Sequence, residues 1–378
     1  MLGAAAFFLM SILIHFPINN SPRYYSDIID TFWYGRVNAN NVPYVVSGIP
    51  YVTYNFEYPS ICGLILWLGG WLSGGSVTTY AIVEFGTSFI FFIALTHITF
   101  QFLEYLNLGH TKQLIFSVFA PSILLYGAYN YDTIQTFLVI AALYLFVARS
   151  KIDLSAIMIG LSVATKLTPL FLMPLFWQEL RGFEKRLRFT LIAAGAWAVP
   201  NVPFMVANFG YANNSGWYYS YHFLQTWGLE DTFLVWIFPN NTPVFAGNIN
   251  FTWWTVAKDI SLALVALTAL VIYFYFNKKS LLTRAFLITG LTLLFSYIAA
   301  PQLNLNLLPF LALVPVVPLT LFYLFDITNV MIILTWFMIP NSHPTLPGLV
   351  QTFALLRQIY LAFMMGLVAL SKSFRPKS

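Results

Sequence analysis

Charge is what this chain has least of. Only 8% of its 378 residues are Asp, Glu, Lys or Arg, while 59% are hydrophobic; a soluble domain carries about 25% charged residues. The apolar residues come in long runs, which excludes an ordinary water-soluble globule and points to the bilayer as solvent. Cysteine is nearly absent. The single Cys62 rules out a disulfide framework within the chain. The P-loop and the dinucleotide-binding glycine fingerprint are both missing, and no histidine cluster has metal-ligand spacing. There is no internal repeat, low-complexity tract or soluble domain. The net charge of +5 resides in short Lys/Arg clusters between apolar runs, a positive-inside pattern rather than a nucleic-acid surface.

What is present is a series of apolar segments, at 2–18, 59–75, 77–105, 112–129, 131–148, 154–177, 189–209, 259–276, 284–301, 307–325, 327–340 and 349–370. In lipid the backbone must satisfy its own hydrogen bonds, and barrel-type alternation is absent. Helices are therefore expected throughout, giving an all-α polytopic membrane protein with 10–13 transmembrane or re-entrant helices in one domain, 1–378. The first run lacks a basic leader and is followed by Pro17-Ile18-Asn19-Asn20, so it reads as an anchor helix, not a cleaved signal.

Placing the clusters at Lys112, Arg149/Lys151, 181–188, Lys278/Lys279/Arg284 and 372–377 in the cytoplasm leaves two long loops outside, 19–58 and 210–258. Both are rich in Tyr, Trp and Asn. They hold every N-x-S/T sequon, at Asn19, Asn213, Asn240 and Asn250. The assignment makes 59–75 and 154–177 start and finish on one side. Each contains breakers, Gly69-Gly70 and Lys166/Pro169, so both are expected to be re-entrant or broken helices, a form tolerated where a polar cavity is lined. The plainer alternative is that one basic cluster faces outward.

Thirteen acids in such a chain make each position informative. Asp153, Glu179 and Glu184 lie beside cytoplasmic basic residues and are explained by ion pairing. Asp326 is expected in a short turn between two helices, and Glu84 has no assignment. The first long loop holds Asp27, Asp30 and Glu57. On an α-helix Asp27, Asp30 and Tyr34 would share one face; the plain alternative is an interfacial helix whose acids cap its N-terminus. Asp132 follows Tyr129-Asn130-Tyr131, where either Asn130 or Asp132 suits a helix cap. Lys166 interrupts an apolar run, so its ammonium calls for an anion or a wet cavity, unless it snorkels to the interface. The second long loop offers His222, Glu230 and Asp231. On the outer side the other cations are Arg23, Arg36 and Lys258.

Four stretches in order carry a family resemblance. The first loop runs Ser26-Asp27-Ile28, then Asn41-Val42-Pro43-Tyr44, then Phe56-Glu57-Tyr58-Pro59-Ser60. Next come Tyr129-Asn130-Tyr131-Asp132 and the stretch Gly160-Leu161-Ser162-Val163-Ala164-Thr165-Lys166-Leu167-Thr168-Pro169. The last is Ala300-Pro301-Gln302-Leu303-Asn304. Together they resemble the GT-C superfamily of polytopic glycosyltransferases, in particular polyprenyl-phosphate-mannose-dependent transferases and the enzyme adding the first mannose to GPI anchors. Asn41 stands where Gly is usual, Ser60 replaces a Pro, and Gln225-Thr226-Trp227 replaces an Arg common after the His222-like position. That last departure shifts weight for phosphate binding onto Lys166 and Arg36.

The resemblance implies inverting transfer of a hexose, by this likeness mannose, from a polyprenyl-phosphate donor to a glycolipid or glycan on the extracytoplasmic face. Asp27 would be the base, with Asp30 or Glu57 as substitutes. Lys166, Arg36 and His222 would bind donor phosphate, and Tyr34, Asp132, Glu230 and Gln302 would contact substrate. No nucleotide or nucleic acid is called for. Some members use a divalent cation, but no ligand set for one is legible here. The rival classes are a transporter or flippase, and a non-catalytic membrane subunit that serves a protein partner.

Overall fold

The structure is a computed structural model that describes residues 1–18, 24–39, 48–109, 111, 119–210, 216–218, 220, 231–237, 251–338 and 348–371, with the backbone alone for 251–254 and 338. Among the described residues it is all-helical, without strands. Five helices are long and apolar enough to cross a membrane: α3 (Val77–Tyr105), α8 (Phe183–Ala207), α10 (Phe251–Tyr275), α13 (Leu319–Met338) and α14 (Leu349–Leu370). Shorter apolar helices are α1 (Leu2–His15), α2 (Ser60–Leu72), α5 (Asp132–Val147), α6 (Ile152–Thr165) and α11 (Leu281–Phe295). Short turns of helix fill in α4 (Pro121–Tyr126), α7 (Met173–Glu179), α9 (Leu234–Ile237) and α12 (Leu308–Leu313).

The chain divides into two compact units. One comprises residues 1–105, 123–170 and 180–225, the other 106–122, 171–179 and 226–378. In the first, α3 packs against α1, α2 and α5, and α6 packs between α5 and α8. The α6–α8 contact is close because Gly160 has no side chain: a Cβ there would lie 2.2 Å from the Ala193 carbonyl oxygen and 2.9 Å from the Ala196 methyl. Small residues at such crossings let backbones approach and gain dispersion where lipid offers no hydrophobic drive. The α1–α3 contact is aromatic, with Phe8 stacked on Phe92 at 4.5 Å. In the second unit α13 packs along α14, and α11 packs against α10, α14 and α7.

Two expectations fail. Gly69-Gly70 does not break its segment. The helix α2 runs straight through both, which are buried, because Gly69 makes room for a neighbouring side chain rather than for a turn; a Cβ on it would lie 2.0 Å from Glu84 Oε1. Nor does Asp326 mark a turn. It lies inside α13, fully buried, and Oδ2 accepts the Ser122 backbone N–H at 3.0 Å. A hydropathy reading treats any acid as a boundary, and a tertiary hydrogen bond removes the reason. By contrast, α6 does end at Lys166, whose backbone is extended, and the chain resumes as a tight helical turn over Thr168–Leu172. Ion pairs join Arg188 to Asp153 at 2.5 Å and Arg284 to Glu179.

Candidate functional site

The site in the first unit begins with the segment after α1. Residues Asp27–Val37 form a π-helix, the wide-turned form found often at functional sites. Its start is fixed reciprocally. Ser26 Oγ accepts the Ile29 N–H at 3.2 Å, and Asp30 Oδ2 accepts the Ser26 N–H at 2.8 Å. Its end is closed by the Asn38 N–H to the Trp33 carbonyl at 2.8 Å. Ile28, Phe32, Trp33 and Val37 are buried, a recurrence of four to five residues that suits the wide turn.

This geometry corrects the expectation that Asp27, Asp30 and Tyr34 share a face, because that held for an α-helix. Asp30 turns back on its own N-terminus and does the work of a cap. Tyr34 is half-buried further along. Burial raises the Asp30 carboxyl and the Tyr34 phenol above their ordinary values.

Asp27 points elsewhere. Its Oδ2 accepts from Asn130 Nδ2 at 2.7 Å and from the Tyr58 hydroxyl at 3.5 Å, while Oδ1 accepts from the Tyr25 hydroxyl at 3.2 Å. Asn130 Nδ2 also donates to the Tyr58 hydroxyl at 2.9 Å. The Ile28 N–H to the Tyr129 carbonyl, 3.3 Å, ties the π-helix to the step before α5. Asp27 is set deep among protein atoms yet keeps partial solvent exposure. Burial pushes its carboxyl up to about 7. The hydrogen bonds from Asn130 and Tyr25 and the charge on Lys166 pull the other way, and the Glu57 charge adds to the rise. The Tyr58 phenol is held well above its usual value, chiefly by burial and then by the Asp27 charge.

Lys166 finds its anion inside the protein. Its Nζ lies 2.6 Å from Asp132 Oδ1, with Lys166 8% and Asp132 0% exposed, and it sits 5.5 Å from the centroid of the Tyr58 ring. Asp132 Oδ2 has no hydrogen-bond partner. The side chain of neither Asp132 nor Asn130 caps α5; Asp132 takes the lysine, and Asn130 Oδ1 accepts the Tyr131 N–H at 2.6 Å. Tyr58 thus touches both the Asp27 carboxylate and the Lys166–Asp132 pair. At the rim, Arg36 pairs with Glu57 at 3.1 Å, both partly exposed.

So Asp27, Lys166 and Asp132 come together in one network, and Arg36 and Glu57 meet as partners. Gln302 is buried in the second unit, in the helical turn Pro301–Asn306. His222 and Glu230, with Asn41-Val42-Pro43-Tyr44 and the four sequons, lie outside the described residues.

Several residues here escaped sequence reasoning. Tyr25 and Tyr58 reach Asp27 through their hydroxyls, and Asn130, which the sequence offers as a helix cap, donates to Asp27 instead. Asn201 of α8 accepts from the Ser60 hydroxyl at 2.5 Å and from the Trp217 indole at 3.0 Å, and Asn55 accepts from the Ser220 hydroxyl at 3.0 Å. These bonds seat the start of the second long loop against the first, and nothing in the local spacing announces them. Among the described residues no three His, Cys, Asp or Glu side chains gather as a metal site would require. No protein-family model matches the chain, and no curated protein matches it at significant sequence similarity.

Proposed function

We propose that this protein is a GT-C-like membrane glycosyltransferase, with 10–13 membrane-embedded helices. It moves a hexose from a polyprenyl-phosphate donor to a hydroxyl of a lipid or glycan on the extracytoplasmic side. The observation that carries the reading is Asp27: a deeply set, partly solvent-accessible carboxylate, held by three donors directly after the first apolar helix, with a carboxyl value of about 7. A general base works best when its own value lies near the working pH.

In this scheme the acceptor hydroxyl gives its proton to Asp27 as its oxygen bonds to the anomeric carbon. The bond from that carbon to the phosphate oxygen breaks on the opposite face, with inversion. Polyprenyl phosphate leaves with the electron pair, and cations stabilise the charge that develops on it. Lys166 and Arg36 supply that field. Each already has a carboxylate partner, Asp132 and Glu57, so their role is to polarise the departing phosphate rather than to neutralise it. The half-buried rings of Tyr25 and Tyr58 lie beside Asp27 and suit the apolar face of a sugar.

The test is transfer from radiolabelled polyprenyl-phosphate-mannose to candidate lipid and glycan acceptors by the purified protein in lipid. Label appearing in an acceptor, and lost in Asp27→Asn, supports the reading. Movement of the intact donor across vesicles without bond cleavage would replace it with a flippase, the class that the break at Lys166 also suits.

A further inference from the structure

Glu84 lies in α3 and is completely buried. A carboxyl group inside a membrane-spanning helix is costly and marks a functional role by default. The reaction scheme does not use it, and an apolar side chain would fill the same space without the cost. Three elements define its surroundings. From α2, Gly69 yields the space that Oε1 occupies. From its own helix, Tyr80 is one turn away and packs against Trp33 of the π-helix, 5.0 Å between ring centroids and tilted by 39°. From the step before α5, the Tyr131 hydroxyl donates to Oε2 at 2.9 Å.

Tyr131 leads to the site by two routes. Its backbone N–H bonds Asn130 Oδ1 at 2.6 Å, which turns the Asn130 amide nitrogen toward Asp27. Its ring stacks on Phe32, 5.5 Å between centroids and 13° from parallel. Phe32 meets the Tyr58 ring edge-on at 5.3 Å. Tyr58 and Asn130 both donate to Asp27. We infer that Glu84 is a positioning residue for Asp27: by holding Tyr131 it fixes the Asn130 amide and, through Phe32, the Tyr58 hydroxyl, where both donate to the Asp27 carboxylate.

The inference names Asp27 as the group that matters and so rests on the proposed function, but its test reads Asp27 directly. The groups facing Asp27 are Tyr25 from the same segment, Tyr58 and Glu57 from the end of the first loop, Asn130 and Tyr129 from the step before α5, and Lys166 from the end of α6. Hydrogen bonds from Asn130 and Tyr58 favour the charged carboxylate. Loosening them raises the pH at which Asp27 loses its proton.

A hydrophobic carbodiimide reacts with protonated carboxyls, so its rate at Asp27, read by mass spectrometry across pH, gives that midpoint with or without turnover. The midpoint should rise by about half a unit or more in Glu84→Leu. Tyr131→Phe keeps the ring and should give the same rise, and the double variant should add nothing, as expected of residues acting as one unit. Glu84→Gln keeps an acceptor for the Tyr131 hydroxyl and should restore the wild-type midpoint. Gly69→Ala crowds Glu84 without removing it and should move the midpoint in the same direction. An unchanged Asp27 midpoint in folded Tyr131→Phe would overturn the inference, even if transfer falls. A shifted midpoint together with full transfer by Asp27→Asn would leave the positioning intact and remove the proposed function.

Discussion

Each unit places an asparagine at the centre of a polar network, and the two networks differ in their access to water. In the first unit Asn130 bridges Asp27 and Tyr58, and Asp27 keeps partial exposure. In the second, Asn329 donates to the Ser122 hydroxyl at 2.9 Å and the Pro301 carbonyl at 3.0 Å, and accepts from Arg357 at 3.2 Å. Arg357 also donates to the Asp231 carbonyl at 2.7 Å. Asp326 and Asn329 are 0% exposed and Arg357 2%. Under the proposed function the same residue types serve chemistry where a carboxylate keeps contact with solvent, and serve as glue between helices where they are sealed. Burial of the neighbours alone therefore does not distinguish the two networks; the partial exposure of Asp27 does.

The comparison breaks most sharply on turnover. Asp27→Asn should lower sugar transfer by roughly 10²- to 10⁴-fold, the usual contribution of a general base, while Asp326→Asn should leave transfer within about threefold of wild type. Equal losses in the two variants, measured in the radiolabel assay, would erase the distinction. On stability the partner of each charge decides. Lys166→Met leaves the buried Asp132 carboxylate uncompensated and should cost about 3 kcal/mol or more; adding Asp132→Asn should recover most of it. Arg357→Met removes hydrogen bonds to neutral acceptors and should cost about 1–2 kcal/mol. Thermal melting in detergent ranks the three variants.

The smallest effect is in pH. The Asp27 carboxyl is raised in the folded protein from its ordinary 3.8 to about 7. A raised carboxyl favours the fold while protonated in both states, below the unfolded value near 4. That contribution is lost progressively as pH climbs from about 4 to about 7 and is gone above the folded value. Asp27→Asn should therefore melt a few degrees above wild type at pH 8 and show little advantage at pH 4. Transfer by the wild type should rise over the same interval, since the base works when deprotonated. Equal gains at both pH values would mean that the group is not held in this way.

Much of the helical frame was legible from residues 77–105 and 349–370, whose apolar runs coincide with α3 and α14. A single solvent imposes a single backbone solution there. The end of α6 at Lys166 was legible for the same reason, since an ammonium in an apolar run demands an arrangement. Scarcity of acids also singled out Asp27 and Asp132. What was not legible depends on partners distant in sequence. The Lys166–Asp132 bond spans 34 residues, and the Asp326–Ser122 bond spans 204. Glu84 had no assignment because its meaning lies in Tyr131 and Gly69, on two other segments. The π-helix was missed because its apolar spacing also fits an α-helix, and only backbone bonding five residues apart, as from Asn38 to Trp33, distinguishes the two.

That wide winding spends more residues on each turn than an α-helix does, so the face a residue presents depends on its distance from the aromatic anchors. Deleting a single position between Asp27 and Phe32, with the winding kept, would leave Phe32 and Trp33 seated and turn everything upstream by one residue's rotation, somewhat under the ~100° of an α-helical residue. The carboxylate would then face away from Asn130, and Ile28 and Ile29 would leave the core with it. This segment should therefore tolerate replacements better than changes of length.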